Sequence, residues 1–333
     1  MVSIGYALLS EEHDAASLVR NARAAEEAGF SFAMVSDHFH PWTDRQGQSP
    51  FVWSVLGAIA QVTEGMPVGT AVTCPIVRIH PAIVAQAAAT VATMMPGRFF
   101  LGVGTGENLN EHVTGQPWPE IDERQARLRE AIEAMRELWG GGLTTYRGRY
   151  VTVESARIYS RPDAPPPVMV AAGGEQSARL AAELGDGLVA TSPVEETVRT
   201  FEAGGSGRPK IGMLHVCWGE DEREAVRTVH EVWPNSALGG NLGQDLRLPA
   251  DFEAAARPLR EEDIARGTIC GPDPERHLEG IRQFIEAGFD HVFIHQIGQD
   301  QRGFMDFYRR EVFPALKLRE PSLTTPHLER RAA

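Results

Sequence analysis

Short apolar runs rich in β-branched residues alternate along the chain with longer segments whose apolar residues recur every three or four positions. Ser3–Leu9, Ser31–Ser36, Pro67–Thr73 and Phe99–Gly104 read as strands. Between them the pattern predicts helices over Ala15–Gly29, Pro50–Thr63 and the alanine-rich Ile83–Met95, with Gly29 as a stop signal. The long charged helix Glu123–Trp139 follows. Val168–Ala172, Gly187–Thr191, Ile211–Trp218 and His291–Gln296 complete a set of eight strands, interleaved with helices over Ser177–Gly185, Asp221–Trp233 and Pro274–Gly288. Phe304–Leu316 reads as a closing helix. Alternating βα units with apolar strands imply a parallel sheet, and eight of them favour closure into a (β/α)8 TIM barrel, an α/β fold. The runner-up, an open doubly wound sheet, would want a glycine-rich turn after the first strand, and Leu8–Glu12 has none.

Two stretches interrupt the alternation. Residues 142–166, after strand four, carry a small strand pair in Thr145–Val153, and residues 234–262, after strand seven, are rich in Gly, Pro and charge. Long insertions on a barrel commonly serve as functional loops. The expected organisation is one domain over residues 1–319 with a disordered tail over 320–333.

Composition narrows the function classes. Of 333 residues 42% are hydrophobic, enough for a large core, and the formal net charge of −13 argues against non-specific nucleic-acid binding. Cys74, Cys217 and Cys270 are far apart, which suggests neither a disulfide framework nor a structural zinc site. The N-terminal stretch lacks the basic and apolar regions of a signal peptide, and no apolar run reaches membrane-spanning length, so a cytoplasmic enzyme is expected.

In a (β/α)8 barrel the active site is built at the C-terminal ends of the strands. Strand two ends in Ser36-Asp37-His38-Phe39-His40-Pro41-Trp42, and strand four in Gly104-Thr105-Gly106-Glu107-Asn108-Leu109-Asn110. Strand five ends in Ala172-Gly173-Gly174, strand six in Thr191-Ser192, and strand eight carries His295. Asp37-His38 is the strongest pair: histidine is a competent general base, and a neighbouring carboxylate can orient it. The plainer reading makes Asp37 a turn cap and His38 a surface residue. His38 and His40 have the spacing of a metal-binding pair, but strands five and six offer no further ligand, so no metal is expected. The glycines at Gly102–Gly106 and Gly173–Gly174 either make tight turns or let an extended anionic cofactor approach the backbone, the second ahead of a helix N-terminus.

Taken together, Val35-Ser36-Asp37-His38-Phe39 with Pro41-Trp42, Phe100–Glu107 with Leu109-Asn110, Ala171–Gly174, Thr191-Ser192 and Asp300-Gln301-Arg302 resemble the luciferase-like superfamily of flavin and deazaflavin barrels, and within it the F420-dependent glucose-6-phosphate dehydrogenase branch. The resemblance implies coenzyme F420 at the barrel mouth, against a non-proline cis peptide at Ala71-Val72. It implies cofactor contacts from Asp37, Ala71, Val72, Thr73, Asn110, Ala172, Gly173 and Gly174. His38 would take the substrate's hydroxyl proton, Glu107 would supply a proton near the ring, Trp42 would stabilise developing charge, and Glu11 would be a further pocket carboxylate. Thr191 and Gln244 would face the substrate. The branch's three cationic phosphate-binding positions fall on Val194, Gly243 and Gly267, with Arg266 and Arg247 nearby. Hence an unphosphorylated sugar or secondary alcohol is expected rather than glucose 6-phosphate. Cys74 stands where the branch commonly has threonine. The branch also implies a homodimer, for which the apolar residues of helices two and three would offer a face. Competing readings are an F420-dependent reductase of a carbonyl or activated alkene, an FMN-dependent monooxygenase, an F420 carrier without chemistry, and a metal-dependent hydrolase.

Overall fold

The structure is a computed structural model, and it describes residues 1–324. Eight parallel strands form a closed barrel: β1 (Ser3–Leu8), β2 (Phe32–Val35), β3 (Val68–Thr70), β4 (Phe99–Val103), β5 (Val168–Ala171), β6 (Gly187–Ala190), β7 (Lys210–Cys217) and β8 (His291–Gln296). Each pairs with its sequence neighbour, β8 pairs with β1, and Leu188 opposite Lys210 joins β6 to β7. The outer helices are α1 (Ala15–Ala28), α2 (Val52–Val62), α3 (Pro81–Met94), α4 (Ile121–Trp139), α5 (Glu175–Leu184), α6 (Glu195–Glu202), α7 (Glu222–Val232), α8 (Pro274–Glu286) and α9 (Gln301–Phe307).

Local chemistry sets the helix ends. Asp14, Asp221, Asp273 and Asp300 each accept a backbone N–H in the first turn of α1, α7, α8 and α9, and Gly29 closes α1 at φ 96°. Two apolar layers result. Leu18, Leu56, Val84, Leu128, Ile132 and Ile281 pack helices onto the outside of the strands, while Phe32, Met34, Phe100, Met169, Ile211 and Phe293 fill the barrel interior. Gly69 is required there, because a Cβ would lie 2.2 Å from the Phe100 ring.

Several expected boundaries shift. The β3 ladder stops at Thr70 and resumes only as a bridge from Thr73 to Val103, on either side of the cis Ala71-Val72 peptide. The closing helix begins at Gln301 rather than Phe304, and past Phe307 it becomes a π turn (Tyr308–Val312) and a 3-10 turn (Phe313–Ala315). Pro314, which has no N–H, lies in that last turn. Helix α6, which the pattern did not predict, buries Thr197, Val198 and Phe201. The first insertion holds the expected hairpin, Thr144–Arg147 with Thr152–Ala156. The second holds short helices over Leu242–Asp245, Pro249–Ala256 and Glu261–Ala265.

The segment after residue 319 corrects the expected tail. Leu323 is fully buried, and Ser322 N donates to His291 Nε2, so Ser322 and Leu323 pack against the barrel. Residues 325–333 lie outside the described residues. Cys74, Cys217 and Cys270 are free and buried. Among the described residues no helix is long and apolar enough to cross a membrane. Phe51, Ile83 and Met94, at α2 and α3, are exposed, while most apolar residues of those helices cover the barrel.

Candidate active site

A cavity of about 930 Å³ opens at the C-terminal ends of the strands, large enough for a cofactor and a small substrate. Side chains of a strand point alternately to opposite faces, and the lining follows that period. Leu9 and Glu11 line the cavity from β1, Ser36 and His38 from β2, Met213 and His215 from β7, and Phe293 and His295 from β8. Asp37, between Ser36 and His38, therefore points away.

This alternation corrects the expected Asp37–His38 pair. Asp37 accepts hydrogen bonds from Thr73 Oγ1 at 2.8 Å and from Arg78 Nη2 at 2.9 Å, in a buried network that also includes Glu111. The carboxylate beside His38 is Glu11, with Oε1 3.5 Å from His38 Nε2. Ser36 Oγ donates to Glu11 Oε2 at 2.5 Å, and Ser10 Oγ to the same atom at 3.3 Å, which holds the carboxylate in place. On its other side the His38 ring reaches the His40 carbonyl from Nδ1 at 3.2 Å. A carbonyl only accepts, so Nδ1 carries a proton, and in the neutral ring Nε2 presents a lone pair. The Trp42 ring lies 5.0 Å from the His38 ring and packs against Phe252.

The loop after β4 is tied to this loop. Asn110 Oδ1 accepts from Phe39 N and His40 N at 2.9 and 3.2 Å, and its Nδ2 donates to Glu107 at 3.3 Å. His40 Nδ1 donates to the Leu109 carbonyl at 2.9 Å. Asn110 thus fixes Glu107, which lines the cavity, relative to His38. Among the described residues no cluster of three or more potential metal ligands occurs, and the His40 ring is committed to Leu109.

Of the residues expected to touch a cofactor, Ala71, Val72, Ala172, Gly173 and Gly174 line the cavity. Asp37, Thr73 and Asn110 lie in the wall behind it, where their polar groups hold other protein atoms. Thr191, Gln244 and Trp42 line the cavity as well. Cys74 is buried outside the lining.

Charge on the wall is unbalanced. Among the described residues that line it, Glu11, Glu107, Glu120, Glu175 and Asp245 face a single guanidinium, Arg124. Arg124 donates to Gln244 Oε1 at 3.0 Å and lies 4.3 Å over the Trp118 ring, yet its buried Nε–H has no partner among the described residues. Of the three positions that would clamp a phosphate, Gly243 and Gly267 line the cavity without a side chain to offer, and Val194 is exposed outside the lining. Arg266 pairs with Asp263 at 3.2 Å on the surface, and Arg247 is exposed.

Sequence reasoning missed one cluster. Glu12, His295, His215 and Trp233 lie side by side at the rim, with His215 Nδ1 2.8 Å from His295 Nδ1. The signal was available in the alternation: Met213/His215 and Phe293/His295 share the inward parity of their strands, and His215 stands opposite His295 in register.

The luciferase-like monooxygenase family profile matches residues 2–291. The chain belongs to this family. It is 36% identical to an F420-dependent glucose-6-phosphate dehydrogenase of Intrasporangium calvum, over 95% of this chain and 99% of that one, and 37% identical to the enzyme of the same name from Nocardia farcinica, over 95% and 98%. A solved F420-dependent secondary alcohol dehydrogenase, in complex with an F420-acetone adduct, superposes with a TM-score of 0.87 at 30% identity, covering 93% of this chain and 98% of that one. The tetrahydromethanopterin reductase of Methanopyrus kandleri shares the fold, with a TM-score of 0.78 at 23% identity.

Proposed function

We propose that this protein is an F420-dependent dehydrogenase that oxidises a hydroxyl-bearing carbon of a neutral sugar or secondary alcohol. The observation that carries the reading is His38: its Nδ1 is anchored on the His40 carbonyl at 3.2 Å, and its Nε2, a lone-pair base in the neutral ring, stands at the cavity 3.5 Å from Glu11. The residues present fit a flat, elongated, anionic cofactor. A Cβ at Gly173 or Gly174 would meet nothing within 4 Å, which leaves an open cradle at the N-terminus of α5, where N–H groups favour anions. The unpartnered Arg124 Nε–H offers a donor on the same wall. When bound, F420 supplies the hydride acceptor.

The chain's residues supply the proton chemistry. His38 Nε2 takes the hydroxyl proton, and the resulting imidazolium is stabilised by the Glu11 carboxylate beside it, with the Trp42 ring packed 5.0 Å away. Glu107, held by Asn110, is the second proton-carrying group on the wall. The same groups serve the reverse reaction, so supply of oxidised or reduced cofactor sets the direction.

Titration of the protein with F420 and, separately, FMN tests the cofactor through quenching of tryptophan fluorescence. F420 is expected to bind at least tenfold more tightly, and a preference for FMN would move the protein to the monooxygenases. The missing clamp predicts the substrate's charge. Neutral secondary alcohols or sugars are expected to exceed glucose 6-phosphate at least tenfold in kcat/KM, because the three positions that would clamp a phosphate, Val194, Gly243 and Gly267, carry no cationic side chain. Saturation by micromolar glucose 6-phosphate, with no better neutral substrate, would refute this.

A further inference from the structure

The end of β1 carries two adjacent glutamates, and they serve different histidines. Glu11 meets His38 on the β2 side, whereas Glu12 meets His295 on the β8 side, with Oε1 3.3 Å from His295 Nε2. His295 in turn meets His215 of β7, Nδ1 to Nδ1 at 2.8 Å. A Glu–His–His chain therefore runs over three adjacent strands and ends at the cavity. Glu12 and His295 are buried, and the Trp233 ring covers His295 at 4.6 Å. His215 is half-buried on the cavity wall, and its Nε2 has no hydrogen-bond partner among the described residues.

The hydrogen-bond logic has two solutions. Only one proton fits between the two Nδ1 atoms. Trp233 Nε1 and Gly298 N both donate to Glu12, the latter at 3.1 Å, which suits an ionised carboxylate accepting a third bond from His295 Nε2. His295 Nδ1 then accepts from His215 Nδ1–H, and His215 turns a bare Nε2 to the cavity. When Glu12 gains a proton it donates to His295, every bond reverses, and His215 presents Nε2–H instead. Neither imidazole becomes charged in either state. A hydroxyl, which both donates and accepts, satisfies this group in both states. An apolar substrate would leave it unpaired.

We propose that His215 is a second recognition group of the cavity: its Nε2 binds a second hydroxyl of a neutral polyhydroxylated substrate, and Glu12 sets its donor or acceptor sense through His295. This rests on the reading of the cavity as an alcohol site. Burial supports the switch, since it pushes Glu12 up to about 7 and holds both imidazoles down at about 3. The titratable groups facing the chain are Glu11 and His13 beside Glu12, Tyr6 of β1 and Cys217 of β7.

Long-range 1H–15N imidazole spectra of the labelled full-length protein test it, with sorbitol and 2-propanol as probes. At pH 9 His215 is expected as the Nδ1–H form with a bare Nε2, and at pH 5.5 as the Nε2–H form. Glu12→Gln is expected to abolish the exchange. Sorbitol is expected to shift the His215 Nε2 signal and 2-propanol to leave it unmoved, with sorbitol binding roughly tenfold weaker in His215→Phe. A His215 that titrates to imidazolium near 6.5, or that ignores sorbitol, overturns the proposal. Should F420 fail to bind while sorbitol still moves His215, the dehydrogenase reading falls and the recognition site stands. Should F420-linked alcohol oxidation proceed with a mute His215, the recognition site falls alone.

Discussion

His38→Ala is expected to lower kcat by about a hundred- to ten-thousand-fold while F420 binding stays within about twofold, because a positioned general base contributes on that scale. The geometry makes the expectation specific. The Nδ1–H bond to the His40 carbonyl removes one tautomer, so only Nε2 can take a proton. Glu11, 3.5 Å away, then finds a cation to stabilise. Glu11→Gln keeps the shape and loses the charge, so its kcat is expected to fall by a smaller factor, about ten to a hundred. Asp37 does not face this histidine, which separates the two carboxylates experimentally. Single-turnover measurement of F420 absorbance bleaching reads the chemical step directly. A His38→Ala protein that turns over at the wild-type rate would remove His38 from the mechanism and favour a carrier.

The sequence made the barrel legible because buried parallel strands are near-continuous apolar runs, and eight of them recur with helices between. It hid α6 because eight residues give barely two turns of periodicity, and only Thr197, Val198 and Phe201 mark the buried face. The site was half legible. Its rim follows from the strand ends, so His38, Trp42 and Glu107 were found where the cavity is, while Glu11 came only from the family resemblance. The pairing failed because adjacency along a strand is not adjacency in space. Asp37 neighbours His38 in the chain and faces the opposite side, while Glu11, 27 positions earlier, sits on the neighbouring strand's end with the right parity. The Glu12–His295–His215 chain was hidden for the same reason: its members come from three strands, and only the register of the closed barrel brings them together.

Asp37 is instead held in a buried ion-pair network, and Arg78 is the residue on which that network turns. Arg78 donates to Asp37 Oδ1 at 2.9 Å, its backbone N–H reaches Glu111 at 2.6 Å, and its side chain is only 7% exposed beside two carboxylates that are fully buried. Arg78→Met is expected to destabilise the fold by about 3–5 kcal/mol at pH 8, since removing one partner strands uncompensated buried charge. Urea unfolding measures it. The loss is expected to shrink at pH 5. Burial already pushes the Glu111 carboxyl up to about 7, above its ordinary 4.5, so the folded state binds the proton more tightly than the unfolded chain. Such a group adds stability below the unfolded value and loses it as pH rises through the folded one, and without the guanidinium that window widens. A variant as stable as wild type at pH 8 would mean that water reaches this network. Because the Asp37 backbone carries directly into His38, and Arg78 also reaches the Asp37 carbonyl at 3.3 Å, the same variant is expected to lower kcat through a displaced His38, and mutating the network would test stability and base placement together.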